Sequence, residues 1–104
     1  MISVSFALAG GSPVGFTVEG HTGTSGRSVV CAAVSSACYM AANTITEIIG
    51  ARADVSVADG CMRVMTAGED AVRSQDILRG LRLHAENMAQ QYPHQIRITY
   101  TEVQ

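Results

Sequence analysis

The chain is 104 residues long, which is the size of one domain, and we expect residues 1–104 to form a single domain. Hydrophobic residues make up 47% of the chain and charged residues 15%, which is typical of a globular protein and excludes an intrinsically disordered one. The net charge of −2 argues against a nucleic-acid-binding protein, because contact with phosphates requires a basic surface. All seven basic residues are arginines, so mechanisms that depend on a lysine are excluded.

The start of the sequence and its cysteines indicate a cytoplasmic location. The first residues lack the basic region and the continuous apolar stretch of a signal peptide, and we expect no helix that spans a membrane. The three cysteines, Cys31, Cys38 and Cys61, are odd in number and lack CxxC spacing, so neither a disulfide framework nor a zinc site is predicted. We therefore expect reduced thiols, no metal or other cofactor, and no membrane partner.

The first part of the chain predicts a β-hairpin followed by a loop. Apolar residues alternate over residues 2–8 and again over residues 14–18, and the glycine-rich segment between them is typical of a turn. The segment Gly20–Ser28 contains three glycines and no hydrophobic residue. We expect a mobile loop there.

A helix is predicted over Val29–Ile49, because apolar residues recur there at spacings of three and four. Ser28 is suited to cap the start of this helix, and Gly50 is suited to end it. Its predicted apolar stripe consists of Val30, Val34, Ala37, Ala41, Ile45 and Ile48.

The rest of the chain predicts a second hairpin, a second helix and a final strand. Strands over residues 54–58 and 61–66 flank Asp59-Gly60, a dipeptide favoured in tight hairpin turns. Thr66 and Glu69 have the spacing of a capping box, so we expect the second helix to begin there. The apolar side of this helix contains Ile77, Leu78, Leu81, Ala85, Met88 and Tyr92, Pro93 ends it, and Ile96, Ile98 and Tyr100 alternate in the last strand.

The predicted order of elements is therefore β-β-α-β-β-α-β. Hairpins imply a largely antiparallel sheet, and two helices with a single apolar stripe each are suited to cover one face of it. The fold class is α/β (α+β), a two-layer sandwich with two helices on one face of the sheet.

Cys31 and His21 are the candidate catalytic residues. Cys31 falls in the first turn of the first predicted helix, where the positive end of the helix dipole favours a thiolate. His21 lies ten positions earlier, where the second strand enters the glycine-rich loop, and a folded-back loop would bring its imidazole to the sulfur. A base beside a cysteine at a helix start is the arrangement that thiol activation requires.

The helical wheel places Cys31 at the border of the buried face. At about 100° per residue, Cys31 shares a line with Ser35, Cys38 and Ala42 rather than with the apolar stripe. Cys38 is about 10 Å further along the axis, at a rise of about 1.5 Å per residue, so a disulfide between Cys31 and Cys38 is excluded within an intact helix.

Other interpretations of these residues remain open from spacing alone. A single cysteine on a helix is more often a small buried hydrophobic residue, and a single histidine in a loop is more often a turn residue. The remaining polar and cysteine residues have ordinary structural explanations as packing, surface, strand-end or turn residues: Cys61, His84, His94, Asp54 and Asp59.

Gly20-His21, Gly26 and the segment Val29–Ser35, which reads VVCAAVS, together resemble the signature of the ribosomal-processing cysteine protease family. In that family a Gly-His pair precedes a glycine-containing loop and a helix that starts Cys-Ala-Ala-Val-Ser. The family usually has an aspartate where this chain has Ser28, and its loop between histidine and cysteine is slightly longer. Further counterparts occur at Met1-Ile2, Val14–Val18, Ala42-Asn43 and Gln91–Pro93.

The resemblance implies a cysteine endopeptidase that removes the N-terminal extension of a large-subunit ribosomal protein precursor, and it suggests a homodimer. Cys31 would then be the nucleophile and His21 the general acid and base. Backbone N–H groups around Cys31 and Ala32 would donate to the oxyanion, with Ser35 and Ser28 as supporting residues. For Ser35, a hydrogen bond to its own helix is an equally good interpretation.

The resemblance also implies that the loop after His21 closes over the peptide substrate. Thr22, Gly23, Gly26 and Arg27 belong to this predicted substrate loop. Arg27 could contact a substrate carbonyl or carboxylate, but a solvated loop charge is the better interpretation. Apolar or aromatic residues are expected before the scissile bond.

Two functions of other classes are compatible with the sequence. One is a non-enzymatic, dimeric module that binds a protein or RNA partner at the ribosome; the few aromatic residues and the acidic balance make RNA the poorer choice. The other is a thiol redox sensor that uses Cys31 and does not need His21.

Overall fold

A computed structural model describes residues 1–20 and 29–103 of the chain. Its elements in these ranges are β1 (Ile2–Ala9), β2 (Ser12–Glu19), α1 (Val29–Asn43), a π-helical segment (Thr44–Ile49), β3 (Asp54–Ala58), β4 (Cys61–Met65), α2 (Gly68–Arg73), α3 (Gln75–Gln91) and β5 (Ile96–Glu102).

The strands of the described ranges form one sheet in the order β3-β4-β2-β1-β5. Neighbouring strands are antiparallel except β5, which pairs in parallel with β1. The helices lie on one side of the sheet, so the predicted α/β architecture is confirmed. The core lies between the two layers and is built on fully buried side chains that include Phe6, Phe16, Ile45, Val64 and Leu78.

Both hairpins have turns that their sequences explain. Gly10 and Gly11 have positive φ angles at the first turn, and Gly60 has φ +73° at the second, where Asp59-Gly60 was predicted. The β1–β2 register shifts between Ala7 and Leu8. Leu8 then faces Pro13, which has no N–H group to donate to the ladder, so an irregular register at this point is the expected result.

The helix predicted over Val29–Ile49 is present, but its last part is π-helical. Gly50 ends it in a left-handed conformation with φ +71°, and its N–H donates to the Ile45 carbonyl, as expected for a C-terminal glycine. Because hydrogen bonds in a π-helix skip one residue more than in an α-helix, later side chains rotate out of the α-helical stripe. The prediction that Ile48 is buried is therefore wrong, since Ile48 is 80% exposed.

The Val29–Ile49 helix is long and apolar enough to cross a membrane, by length and composition alone, whereas the sequence analysis predicted no such helix. The core helix of a soluble protein can have the same length and apolar composition, and Val30, Val34 and Ala41 of this helix are buried in the core. We regard the finding as weak evidence for a membrane segment.

The capping box predicted at Thr66 is wrong. Helix α2 begins at Gly68 after Ala67, and no side chain caps it. The Thr66 hydroxyl donates instead to the carbonyl of Val14, which also accepts the Thr66 N–H at 2.9 Å. Thr66 is buried next to β2, so its hydroxyl is satisfied across the sheet rather than by the helix.

The second predicted helix is split at Ser74. Ser74 is fully buried, and its hydroxyl donates to the Asp70 carbonyl at 2.8 Å. Bonding back to a carbonyl one turn earlier is a known cause of helix distortion, which fits the break between α2 and α3 at Ser74. Helix α3 packs on β2 and β5 through Leu78, Leu81, Ala85 and Met88, whereas Tyr92 at its end is 38% exposed.

Candidate active site

Cys31 is the third residue of α1 and is mostly buried, with 8% of its surface exposed. It belongs to the core cluster together with Val30 and Val34. Its position in the first turn puts the thiol at the positive end of the helix dipole, which favours an anion. The predicted position of Cys31 at the start of a helix agrees with the structure. The prediction that Cys31 lies at the border of the buried face is wrong, because Cys38 and Ala42 on the same line are buried as well, so this line belongs to the face that packs on the sheet.

A cleft opens beside Cys31, between the first turns of α1 and one end of the sheet. Its volume is about 170 Å³. Ser35, one turn after Cys31, lines the same cleft and is partly exposed, so Cys31 and Ser35 meet in one place as their shared line on the helix predicts. The cleft is lined by Ile2, Val18, Glu19, Gly20, Cys31, Ser35, Cys38, Tyr39, Ala58, Gly60, Cys61 and Met62.

Cys38 also borders the cleft but is unsuited to act as a nucleophile. Its side chain is 1% exposed, and burial raises the pKa of the Cys38 thiol from 9.0 to about 12. The thiol therefore stays protonated at neutral pH, and the thiolate is the reactive form. Cys38 contributes an apolar wall to the cleft.

Cys61 lies at the start of β4 and is half-buried. It neighbours Met62, which is buried under the helices, and successive side chains of a strand point to opposite faces. The Cys61 side chain is therefore on the face of the sheet away from α1, and the strand end itself borders the cleft. The sequence interpretation of Cys61 as a packing residue stays a prediction.

Gly20 connects β2 to the segment that carries His21. Its φ angle is +91°, and a Cβ atom at this position would lie 2.5 Å from the Met1 carbonyl oxygen. The Gly20 N–H donates to the Gly60 carbonyl at 3.1 Å. Gly20 is thus held between the start of β1 and the β3–β4 turn, and only glycine fits both the space and the backbone angle.

Several predicted site residues lie outside the described residues. They are His21, Thr22, Gly23, Gly26, Arg27 and Ser28. Of the predicted site residues that are described, Cys31 and Ser35 line the cleft, and Ala32 follows Cys31 on α1 with an exposed side chain. The roles of all these residues stay predictions.

Sequence reasoning missed the residues that the sheet brings to the cleft. Ile2 and Met62 are distant from Cys31 in the chain and reach it only through the strand order. Tyr39 could have been found from the sequence, because it lies one turn after Ser35 on the same predicted helix. In the structure Tyr39 lines the cleft and is 48% exposed. An exposed tyrosine one turn beyond a candidate site is a usable signal for a substrate contact.

Solved structures similar to this chain share its fold. The essential ribosomal processing protease Prp from S. aureus, in complex with a covalently linked product peptide, matches with a TM-score of 0.86 and 24% identity over 97% of this chain and 100% of that chain. The same protease in complex with a substrate peptide matches with a TM-score of 0.85 and 23% identity, over 97% and 100% of the two chains. SMU.848 from Streptococcus mutans matches with a TM-score of 0.83 and 20% identity, over 99% and 96%.

Curated protein sequences gave no significant match. The model of one protein family, described as cysteine protease Prp, matches residues 1–97, which is almost the whole chain. This match includes Cys31, the cleft and all of the sheet except most of β5, of which it covers only the first two residues. The chain therefore belongs to the cysteine protease Prp family and is a cysteine protease.

Proposed function

We propose that the protein is a cytoplasmic cysteine endopeptidase that removes the N-terminal extension from the precursor of a large-subunit ribosomal protein. The observation that carries the proposal is the position of Cys31, in the first turn of α1 and on the wall of an open cleft. Membership in the Prp family supports the reaction type. The name of the S. aureus structures, a ribosomal processing protease, supports the substrate class.

In the proposed reaction the Cys31 thiolate attacks the scissile carbonyl and forms an acyl-enzyme, and His21 protonates the departing amine. Water then attacks the thioester, His21 accepts the water's proton, the C–S bond breaks, and the Cys31 thiolate is regenerated with His21 protonated again. The dipole of α1 favours both the thiolate and the oxyanion near Ala32. Ser35 and Ser28 are supporting residues, and Thr22, Gly23, Gly26 and Arg27 form the substrate loop.

The cleft supports a substrate with an apolar residue next to the scissile bond. Its walls include Ile2, Val18 and Met62, and its volume of about 170 Å³ is close to the roughly 150 Å³ of an apolar cavity that binds benzene. A phenylalanine or leucine side chain would therefore fill it. Ser35 and Tyr39 are suited to hydrogen-bond the peptide at the rim.

The test is incubation of the purified protein with a ribosomal protein precursor that carries its N-terminal extension, followed by mass spectrometry of the products. The native protein is expected to produce one cut that releases the extension. Cys31→Ser and His21→Ala should abolish cleavage, whereas His84→Ala, a matched control at an exposed position of α3, should not. Cleavage that survives Cys31→Ser would refute the proposal.

The same experiment separates the two other candidate functions. A non-enzymatic module would bind the precursor and leave it intact. A redox sensor would keep its reaction with peroxide after His21→Ala, and it would not cleave the precursor. The proposed homodimer is tested by sedimentation of the native protein, which should give twice the monomer mass.

A further inference from the structure

Strand β3 is an edge strand that ends at the cleft. In the described part of the chain it pairs on one side only, with β4. The turn that follows it, through Gly60, lines the cleft beside Cys31, and so does Ala58, the last residue of the strand. An extended chain lying along the outer edge of β3 would therefore lead directly into the cleft.

The outer edge of β3 carries backbone groups that can pair with an added strand. Ala58 and Cys61 flank the two-residue turn and form the hydrogen-bonded pair that closes the hairpin. Pairs alternate along an antiparallel ladder, so Val55 and Val57 occupy positions that do not bond to β4. Their N–H and C=O groups point to the outer edge.

The side chains of the same two residues form an exposed apolar surface. Val55 is opposite Val64 and Val57 is opposite Met62, and both partners are buried under the helices. Val55 and Val57 are thus on the helix side of the sheet, yet they are 44% and 56% exposed.

The edge of β3 has little of the usual protection of edge strands. Natural edge strands are commonly blocked by charged side chains, proline or a bulge. The β3 sequence, DVSVA, has no lysine and no proline, its register with β4 is regular, and its one charged residue, Asp54, is at the end of the strand away from the cleft. A bare apolar edge beside a peptide-cleaving cleft is suited to bind an extended peptide by strand addition.

We propose that β3 is a second binding site for the substrate, at which a segment of the precursor away from the scissile bond pairs as an additional strand with Val55 and Val57. The inference rests on the proposed protease function. The continuity of this edge with the cleft favours the substrate over a second copy of the chain as its occupant. The site makes affinity depend on substrate length and on apolar residues at alternate positions of the paired segment.

The test compares two substrates of the native protein and of Val57→Pro. One substrate is the full precursor, and the other is a short peptide with only the residues that flank its cleavage site. Proline removes the outward N–H of Val57 without breaking a bond to β4, and proline is tolerated at strand edges. We expect the ratio of kcat/KM for the precursor to kcat/KM for the short peptide to fall about fivefold, which is the loss of one hydrogen bond.

Val57→Thr is the control, because it keeps the N–H and the shape of valine and should change the ratio less than Val57→Pro. If Val57→Pro fails to fold, the same ratio is measured with the double variant Val55→Thr, Val57→Thr, which should lower it by reducing apolar contact with the precursor.

Three outcomes would overturn the inference alone. An unchanged ratio would mean that β3 does not bind the precursor. Equal losses for the two substrates would place the effect in the cleft. Dissociation of a dimer by Val57→Pro, with an unchanged ratio, would show that a second copy occupies this edge. If the native protein cleaves neither substrate, the proposed protease function itself fails, and this inference fails with it.

Discussion

The tight position of Gly20 predicts that Gly20→Ala destabilises the protein more than an alanine at another glycine with the same backbone conformation. Two costs add at Gly20. A left-handed backbone costs an L-residue about 1–2 kcal/mol, and the new Cβ would lie 2.5 Å from the Met1 carbonyl oxygen, a backbone atom that cannot move alone. Overpacking of this kind typically costs about 1–3 kcal/mol. We expect a total loss of about 2–5 kcal/mol in the free energy of unfolding.

Gly11→Ala is the matched control. Gly11 has a similar φ angle of +84°, but a Cβ there would meet nothing within 4 Å, so only the backbone cost of about 1–2 kcal/mol applies. Thermal unfolding measures both variants. At about 4–8 °C per kcal/mol for a domain of this size, Gly20→Ala should lower Tm by at least about 8 °C and clearly more than Gly11→Ala. Equal shifts in Tm would refute the argument that β1 confines Gly20.

Three further predictions concern buried or paired polar groups. The Cys38 thiol has a pKa of about 12 in the folded protein and 9.0 when exposed, so the stability that it provides is complete below pH 9.0 and is lost as the pH rises towards 12. The Tm of Cys38→Ala should therefore fall less between about pH 9 and 11 than the Tm of the native protein, and equal falls in Tm would contradict this. Thr66→Val should lower the free energy of unfolding in urea by about 1 kcal/mol, because it removes the hydroxyl bond to Val14, and an unchanged midpoint would argue against that bond. Burial and the hydrogen bond to Glu86 raise the pKa of Tyr100, so ultraviolet titration of the native protein should contain a late tyrosine component that Tyr100→Phe removes; its persistence in the variant would assign it to another tyrosine.

The sequence predicted what depends on local pattern. Alternating apolar residues predicted the strands, Asp59-Gly60 predicted the second turn, and apolar spacings of three and four predicted both helical regions. The candidate nucleophile Cys31 was also found at its helix start, because a helix start is a local feature. These patterns act over a few residues, so they can be read without the fold.

What the sequence could not predict depends on tertiary contacts. The Thr66 hydroxyl could cap a helix or bond to β2, and which of the two forms depends on how β2 packs beside it in the sheet. The change to π-helix that exposes Ile48 has no simple sequence signal. The cleft is likewise tertiary, because Met62 reaches Cys31 only through the pairing of β4 with β2.

The parallel pairing of β1 with β5 has a consequence for how the enzyme forms. Ser5 and Thr99, which share a hydrogen bond of 2.6 Å, are 94 positions apart, so this pairing closes a loop of almost the whole chain. Contacts between residues so far apart in the chain slow folding, because the chain loses the entropy of loop closure before the contact can stabilise the folded state. Ile2, at the start of β1, lines the cleft and is opposite Ile96. A nascent chain on the ribosome would therefore lack a finished cleft until β5 has been synthesised and has emerged.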